Sequence, residues 1–127
     1  MKITVVAVGR LKEKFYEQAV AEYAKRLKAF CSFSIVELPE SRLPDDPSQA
    51  LIDKALEEEG EKLLAAAKGS AIIPLCIEGK EISSPKLAST LEDLASRGIS
   101  SVSFVIGSSF GLAEKVKRAG SLRLSMS

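Results

Sequence analysis

Four apolar runs rich in β-branched residues alternate with segments of helical periodicity, and each run stops at or near a glycine or proline. Residues 3–8 stop at Gly9, residues 33–38 at Pro39, residues 71–77 just before Gly79, and residues 101–106 at Gly107. Short, nearly continuous apolar runs of this kind read as strands buried on both faces, the signature of a parallel sheet. Between the first two, Phe15, Ala19, Tyr23, Leu27 and Phe30 recur at spacings of four and three, which predicts a helix over 13–30. Pro39, Pro44 and Pro47 make 39–48 a polar loop. A second helix is expected from Ser48 or Gln49 to Ala67, with Ser48 as N-cap and Gly69 as its stop.

Its apolar stripe is Ile52, Leu56, Gly60, Leu63 and Ala67. A glycine inside a helix costs about 1 kcal/mol relative to alanine. Gly60 on that stripe therefore points to close packing against a neighbour or to a local kink. Pro74 interrupts the third strand and cannot donate to a ladder, so the strand either lies at an edge there or bulges. Glu78-Gly79-Lys80 is read as the turn after it. Ser84-Pro85 starts a third helix, with Leu87, Leu91 and Leu94 as its stripe and Gly98 at its end. Residues 112–119 read as a short helix and 121–125 as a fifth strand. This order argues for an α/β fold, a mostly parallel sheet with helices on both faces. At 127 residues it is read as one domain, 1–127, large enough to bury a core.

Total charge is +1 and carries no nucleic-acid signal, but its distribution is uneven. Residues 1–30 hold seven Lys/Arg against three acids, 31–67 hold three against nine, and 68–127 hold eight against five. A basic front of this kind, with Arg10, Lys12, Lys14, Lys25, Arg26 and Lys28, could meet RNA phosphate or simply face water. No apolar run approaches the ~20 residues of a membrane helix. The N-terminal run ends in a glycine turn without a small-x-small cleavage site, so it reads as a first strand and not as a secretory signal. Cys31 and Cys76 match no metal-ligand spacing, and Cys76 lies in an apolar run as a reduced core residue. The chain has no histidine, which excludes His-based triads and His-ligated metals within it.

Phosphate-loop and dinucleotide fingerprints are absent: Val8-Gly9-Arg10-Leu11 lacks the G-x-G-x-x-G pattern, and Gly79-Lys80 lacks the upstream glycine and following hydroxyl. No metal cluster or nucleophile elbow is present in the sequence. What the pattern does offer is a set of strand ends, Leu75–Gly79, Ile106-Gly107-Ser108 and Leu124-Ser125-Met126-Ser127. Parallel strands bring such ends to one edge, where apolar side chains and free backbone amides suit an adenine-bearing ligand. At Gly107, the absence of a Cβ would allow a positive φ and close ligand approach.

Several segments together resemble one family. Met1-Lys2-Ile3-Thr4-Val5-Val6-Ala7-Val8-Gly9, Leu11-Lys12-Glu13-Lys14-Phe15 and Ala21-Glu22-Tyr23-Ala24-Lys25-Arg26-Leu27 open the match. Glu59-Gly60-Glu61, Leu75-Cys76-Ile77-Glu78-Gly79-Lys80, Phe104-Val105-Ile106-Gly107 and Leu124-Ser125-Met126-Ser127 continue it in order. The chain resembles the bacterial ribosomal RNA large-subunit methyltransferase H family, small members of the SPOUT (trefoil-knot) methyltransferases. The resemblance implies methyl transfer from S-adenosylmethionine to N3 of a pseudouridine in 23S rRNA within the ribosome, by a cytoplasmic homodimer. It places cofactor binding on Leu75, Gly107, Met126 and Ser127, with no metal and no catalytic base identified. Glu78 lies near that inferred pocket.

The sequence departs from the family's pattern twice. Ser108 stands where a second glycine is usual, so a Cβ narrows the turn there. The family also continues past the position of Ser127 with a Met-Thr-Phe-Pro-His stretch and a final helix that complete the cofactor loop and the knot. A chain ending at Ser127 is expected to leave the knot open and an apolar strip uncovered. It could then serve as a non-catalytic ribosome-binding or dimerising remnant.

Overall fold

The structure is a computed structural model that describes residues 1–9, 32–81, 84–108, 110–120 and 124–125. The helix expected over 13–30 lies outside the described residues. The elements in chain order are β1 (Lys2–Val8), β2 (Ser32–Leu38), α1 (Gln49–Ala66), β3 (Ala71–Glu81), α2 (Ser84–Ser96), β4 (Ser101–Ile106), α3 (Glu114–Ala119) and β5 (Leu124–Ser125).

All strand pairs in the sheet are parallel, in the order β2-β1-β4-β3-β5. Alternation along each strand decides what faces which layer. Ile3, Val5 and Ala7 of β1 lie on the same face as Ile73, Val102, Phe104 and Ile106, and Leu91 and Leu94 of α2 cover them. Val6, Val8 and Val105 face the other way, onto Leu63 of α1, Ala67 and the segment Leu112, Ala113 and Val116. The sheet is therefore covered on both faces, the expected α/β architecture. Fully burying each Ile, Val or Leu in these layers contributes roughly 1.5–3 kcal/mol.

The helix ends follow local chemistry. Ser48 Oγ accepts the Leu51 N–H at 3.3 Å and caps α1 as expected. At the end of α2, Gly98 (φ +87°) donates its N–H to Ala95 O at 3.0 Å, and Ile99 donates to Leu94 O at 3.1 Å. This pair of bonds is the Schellman arrangement, and Ile99 adds the apolar contact that accompanies it.

Three boundaries differ from the sequence expectation. Strand β3 continues through the expected 78–80 turn to Glu81, because Leu124 pairs with both Leu75 and Lys80 across a register shift. Helix α3 starts at Glu114 and not at Leu112, since Leu112 and Ala113 are drawn into the core first and Ala113 stays extended. Of the expected fifth strand, Leu124–Ser125 is seen, and 121–123 lie outside the described residues. At Pro74, β3 pairs in register with Val105, while β5 joins β3 only from Leu75 onward. Gly120 lies against the Pro74 ring instead, so close that an added Cβ would stand 2.6 Å from Pro74 Cγ. The missing proline N–H thus falls where no described strand asks for it.

Candidate functional site

A parallel sheet gathers the carboxyl ends of its strands at one edge, and the register shows which ends meet. Ala7 of β1 and Leu75 of β3 both pair with Ile106 of β4, Leu124 pairs with Leu75, and Val8 pairs with Leu38. Two of the four expected cofactor residues, Leu75 and Gly107, therefore come together through their backbones across β3 and β4. Met126 and Ser127 lie outside the described residues. The strands β1 and β4, which end at Gly9 and Gly107, are also neighbours in the sheet. Strand order reverses between those two strands, where open α/β sheets take their ligands.

Beyond β4 the chain makes a closed turn. The Gly111 N–H donates to Ser108 O at 2.9 Å, and the two residues form an isolated bridge. Gly107 is required here for a reason other than the expected one. Its φ is not in the left-handed region; that role falls to Gly111 at +96°. A Cβ on Gly107 would run into the Gly111 carbonyl, 2.6 Å from its carbon and 2.8 Å from Leu112 Cδ2. The turn folds back onto Gly107 itself. Ser108 has no left-handed φ, so its side chain is accommodated without backbone strain.

The segment after this turn is anchored on α1. A Cβ on Gly60 would lie 3.1 Å from Val116 Cγ2 and 3.2 Å from both Ala113 Cβ and Lys115 Cε. Of the two readings of Gly60, close packing is the one observed. Lys115 Nζ reaches Glu57 Oε1 at 2.7 Å and Glu61 Oε1 at 3.4 Å across the same contact. The hydrogen bond to Glu57 holds the Lys115 ammonium above its ordinary range. Burial opposes that rise, and the charges of Glu57 and Glu61 add to it.

Sequence reasoning missed Glu59, which is 4% exposed. Its Oε2 accepts the Ser41 N–H at 3.0 Å, while Oε1 has no hydrogen-bond partner among the described residues. The carboxylate thus ties α1 to the segment after β2, where the Glu40 side chain in turn lies against Gly9. A signal existed: Ala55, Glu59, Leu63 and Ala67 recur every four residues and are all buried. The neighbouring Glu57 and Glu58 disguise it as part of a solvated charge run. Glu78 lies within β3 between the two pairings of Leu124. Among the described residues no cluster of three or more His, Cys, Asp or Glu is arranged to hold a metal.

Ile106 ends the buried run of β4, and Gly107 and Ser108 beyond it are half-buried. Of the expected cofactor set, the structure describes the backbones of Leu75 and Gly107, which the register brings to one edge.

Comparison with known proteins agrees with this architecture. A family model described as a predicted SPOUT methyltransferase matches residues 1–127. Ribosomal RNA large subunit methyltransferase H of Levilactobacillus brevis is 46% identical over 126 residues, covering 98% of this chain and 79% of the relative. The proteins of the same name from Pelotomaculum thermopropionicum and Streptococcus mutans are 45% and 41% identical over the same shares. A full-length family match, relatives of this similarity and a parallel sheet whose Leu75 and Gly107 ends converge lead to one assignment: the chain belongs to the SPOUT methyltransferase family.

Proposed function

We propose that this protein methylates 23S ribosomal RNA within the ribosome, at N3 of a pseudouridine, using S-adenosylmethionine as donor. The observation that carries the reading is similarity over 98% of the chain to relatives named ribosomal RNA large subunit methyltransferase H. Leu75, Gly107, Met126 and Ser127 hold the cofactor in this reading, and the enzyme works as a cytoplasmic homodimer. No described helix is long and apolar enough to cross a membrane.

S-adenosylmethionine, when bound, supplies an electrophilic methyl group on a sulfonium. The protein's own task is to hold donor and acceptor in line and to let the acceptor nitrogen release its proton. The strand-end backbone at Gly107 serves orientation, and the turn closed by Ser108 and Gly111 holds that backbone in place. The basic residues of the front segment, Arg10 to Lys28, serve phosphate. Calorimetry with S-adenosylmethionine, followed by transfer of labelled methyl to ribosomes lacking the modification, tests the reading. Saturable binding and label in 23S rRNA are expected. Ribosome binding without cofactor binding or transfer would favour a non-catalytic role instead.

A further inference from the structure

Phe110 stands out on the turn that closes β4. It is 45% exposed and is the only exposed aromatic side chain among those described. Its neighbours Leu112 and Ala113 are buried, as is Val116, so the chain on its C-terminal side is fixed in the core. On its N-terminal side, the Gly111–Ser108 bond of 2.9 Å closes the turn, and Gly107 packs against the Gly111 carbonyl. A ring carried between this bond and the buried Leu112 needs little further ordering of its backbone when it meets a partner.

We propose that Phe110 is a stacking platform for an unstacked rRNA base at the methylation site. The inference rests on the function proposed above. Methyl transfer needs donor and acceptor about 3–3.5 Å apart, so the acceptor nucleotide must come to the strand-end edge that carries Gly107. A base inside folded RNA cannot be reached there until it leaves its stack, which costs a few kcal/mol. An exposed aromatic ring at the same edge replaces the lost stacking, the usual way proteins hold single-stranded bases. Ile35, Val36 and Leu51, also exposed, are aliphatic and offer no such face.

The test compares the full chain with Phe110→Ala, Phe110→Leu and Phe110→Tyr for methyl transfer to unmodified ribosomes and for S-adenosylmethionine affinity by calorimetry. Phe110→Ala is expected to lower kcat/KM for ribosomes about 5- to 150-fold, the equivalent of one lost base–aromatic stack. Phe110→Leu should fall with it, because it keeps apolar bulk without a ring, and Phe110→Tyr should retain activity. Cofactor affinity should be unchanged in all three. Wild-type activity matched by Phe110→Ala, or a Phe110→Leu as active as wild type, overturns the stacking role and leaves the proposed function standing. Weakened cofactor binding in Phe110→Ala also overturns it, since the ring would then touch the donor. A wild type that binds S-adenosylmethionine but transfers no methyl to rRNA overturns the RNA reading itself, and with it this inference.

Discussion

Two single residues carry more of this edge than their chemistry suggests. Gly107 has no room for a methyl group, because the nearest atoms in the way belong to the backbone of Gly111 and cannot swing aside. Gly107→Ala should therefore destabilise the protein by about 1–3 kcal/mol, the usual cost of overpacking, and weaken S-adenosylmethionine binding. Urea unfolding and calorimetry check the two effects. Glu59 is the opposite case, a side chain whose polar end is used inside. Glu59→Ala leaves the part-buried Ser41 N–H without its acceptor, and a loss of about 1–3 kcal/mol is expected. Glu59→Gln keeps an acceptor oxygen for Ser41, so its midpoint in urea should lie much closer to wild type. Equal losses in the two variants would show that the carboxylate itself is needed there, since Gln keeps both the volume and an acceptor oxygen.

At the scale of elements, the contact between α1 and α3 decides how firmly the Gly107 turn is backed. Gly60→Ala regains about 1 kcal/mol of helix propensity but places a methyl 3.1–3.2 Å from Val116, Ala113 and Lys115. Those contacts need shifts of only a few tenths of an ångström, so Gly60→Ala should stay within about 1 kcal/mol of wild type. Gly60→Leu cannot be absorbed that way and should cost about 1–3 kcal/mol or more as it levers α3 off α1. Thermal unfolding of the pair provides the comparison. Lys115 ties the same elements electrostatically. Because its folded pKa is raised above 10.5, its stabilising effect is fully present below that value and is lost as pH rises through the folded pKa. The stability difference between wild type and Lys115→Met should be flat from pH 7 to 10 and shrink above pH 10.5. It should also shrink with added salt, because Glu57 and Glu61 are exposed partners. A difference unaffected by either would mean that the aliphatic stem, not the charge, makes the contact.

Across the whole molecule, the proposed cofactor would bind at the ends of the central strands β3 and β4, so its binding should be felt as global stability. At a concentration 100 times its dissociation constant, a ligand specific for the folded state adds about 2.7 kcal/mol. The melting temperature should rise by several degrees with S-adenosylmethionine, and by less in Gly107→Ala. No shift in wild type would count against the cofactor. Much of this architecture was legible in the sequence. Apolar runs ending at Gly9, Pro39 and Gly107 marked the strands, and Ser48 and Gly98 marked helix ends, because capping and alternation are local. The family was legible too, since its motifs lie in order along the chain. Other features depended on which segments meet. β3 runs past its expected turn because β5 pairs beside it, a partnership between residues 44 positions apart, Lys80 with Leu124 and Glu81 with Ser125. Glu59 reads as one of a run of surface acids until the fold brings Ser41 to it. For Gly107 the expected positive φ is not observed, and the turn's own backbone is what leaves no room for a Cβ. A glycine at the end of β4 and strands running parallel follow from local pattern alone, since apolar runs buried on both faces and joined by helices need no knowledge of contacts. That this glycine makes way for the carbonyl of Gly111 emerges from the folded chain, because excluded volume between backbones appears only once the turn has closed.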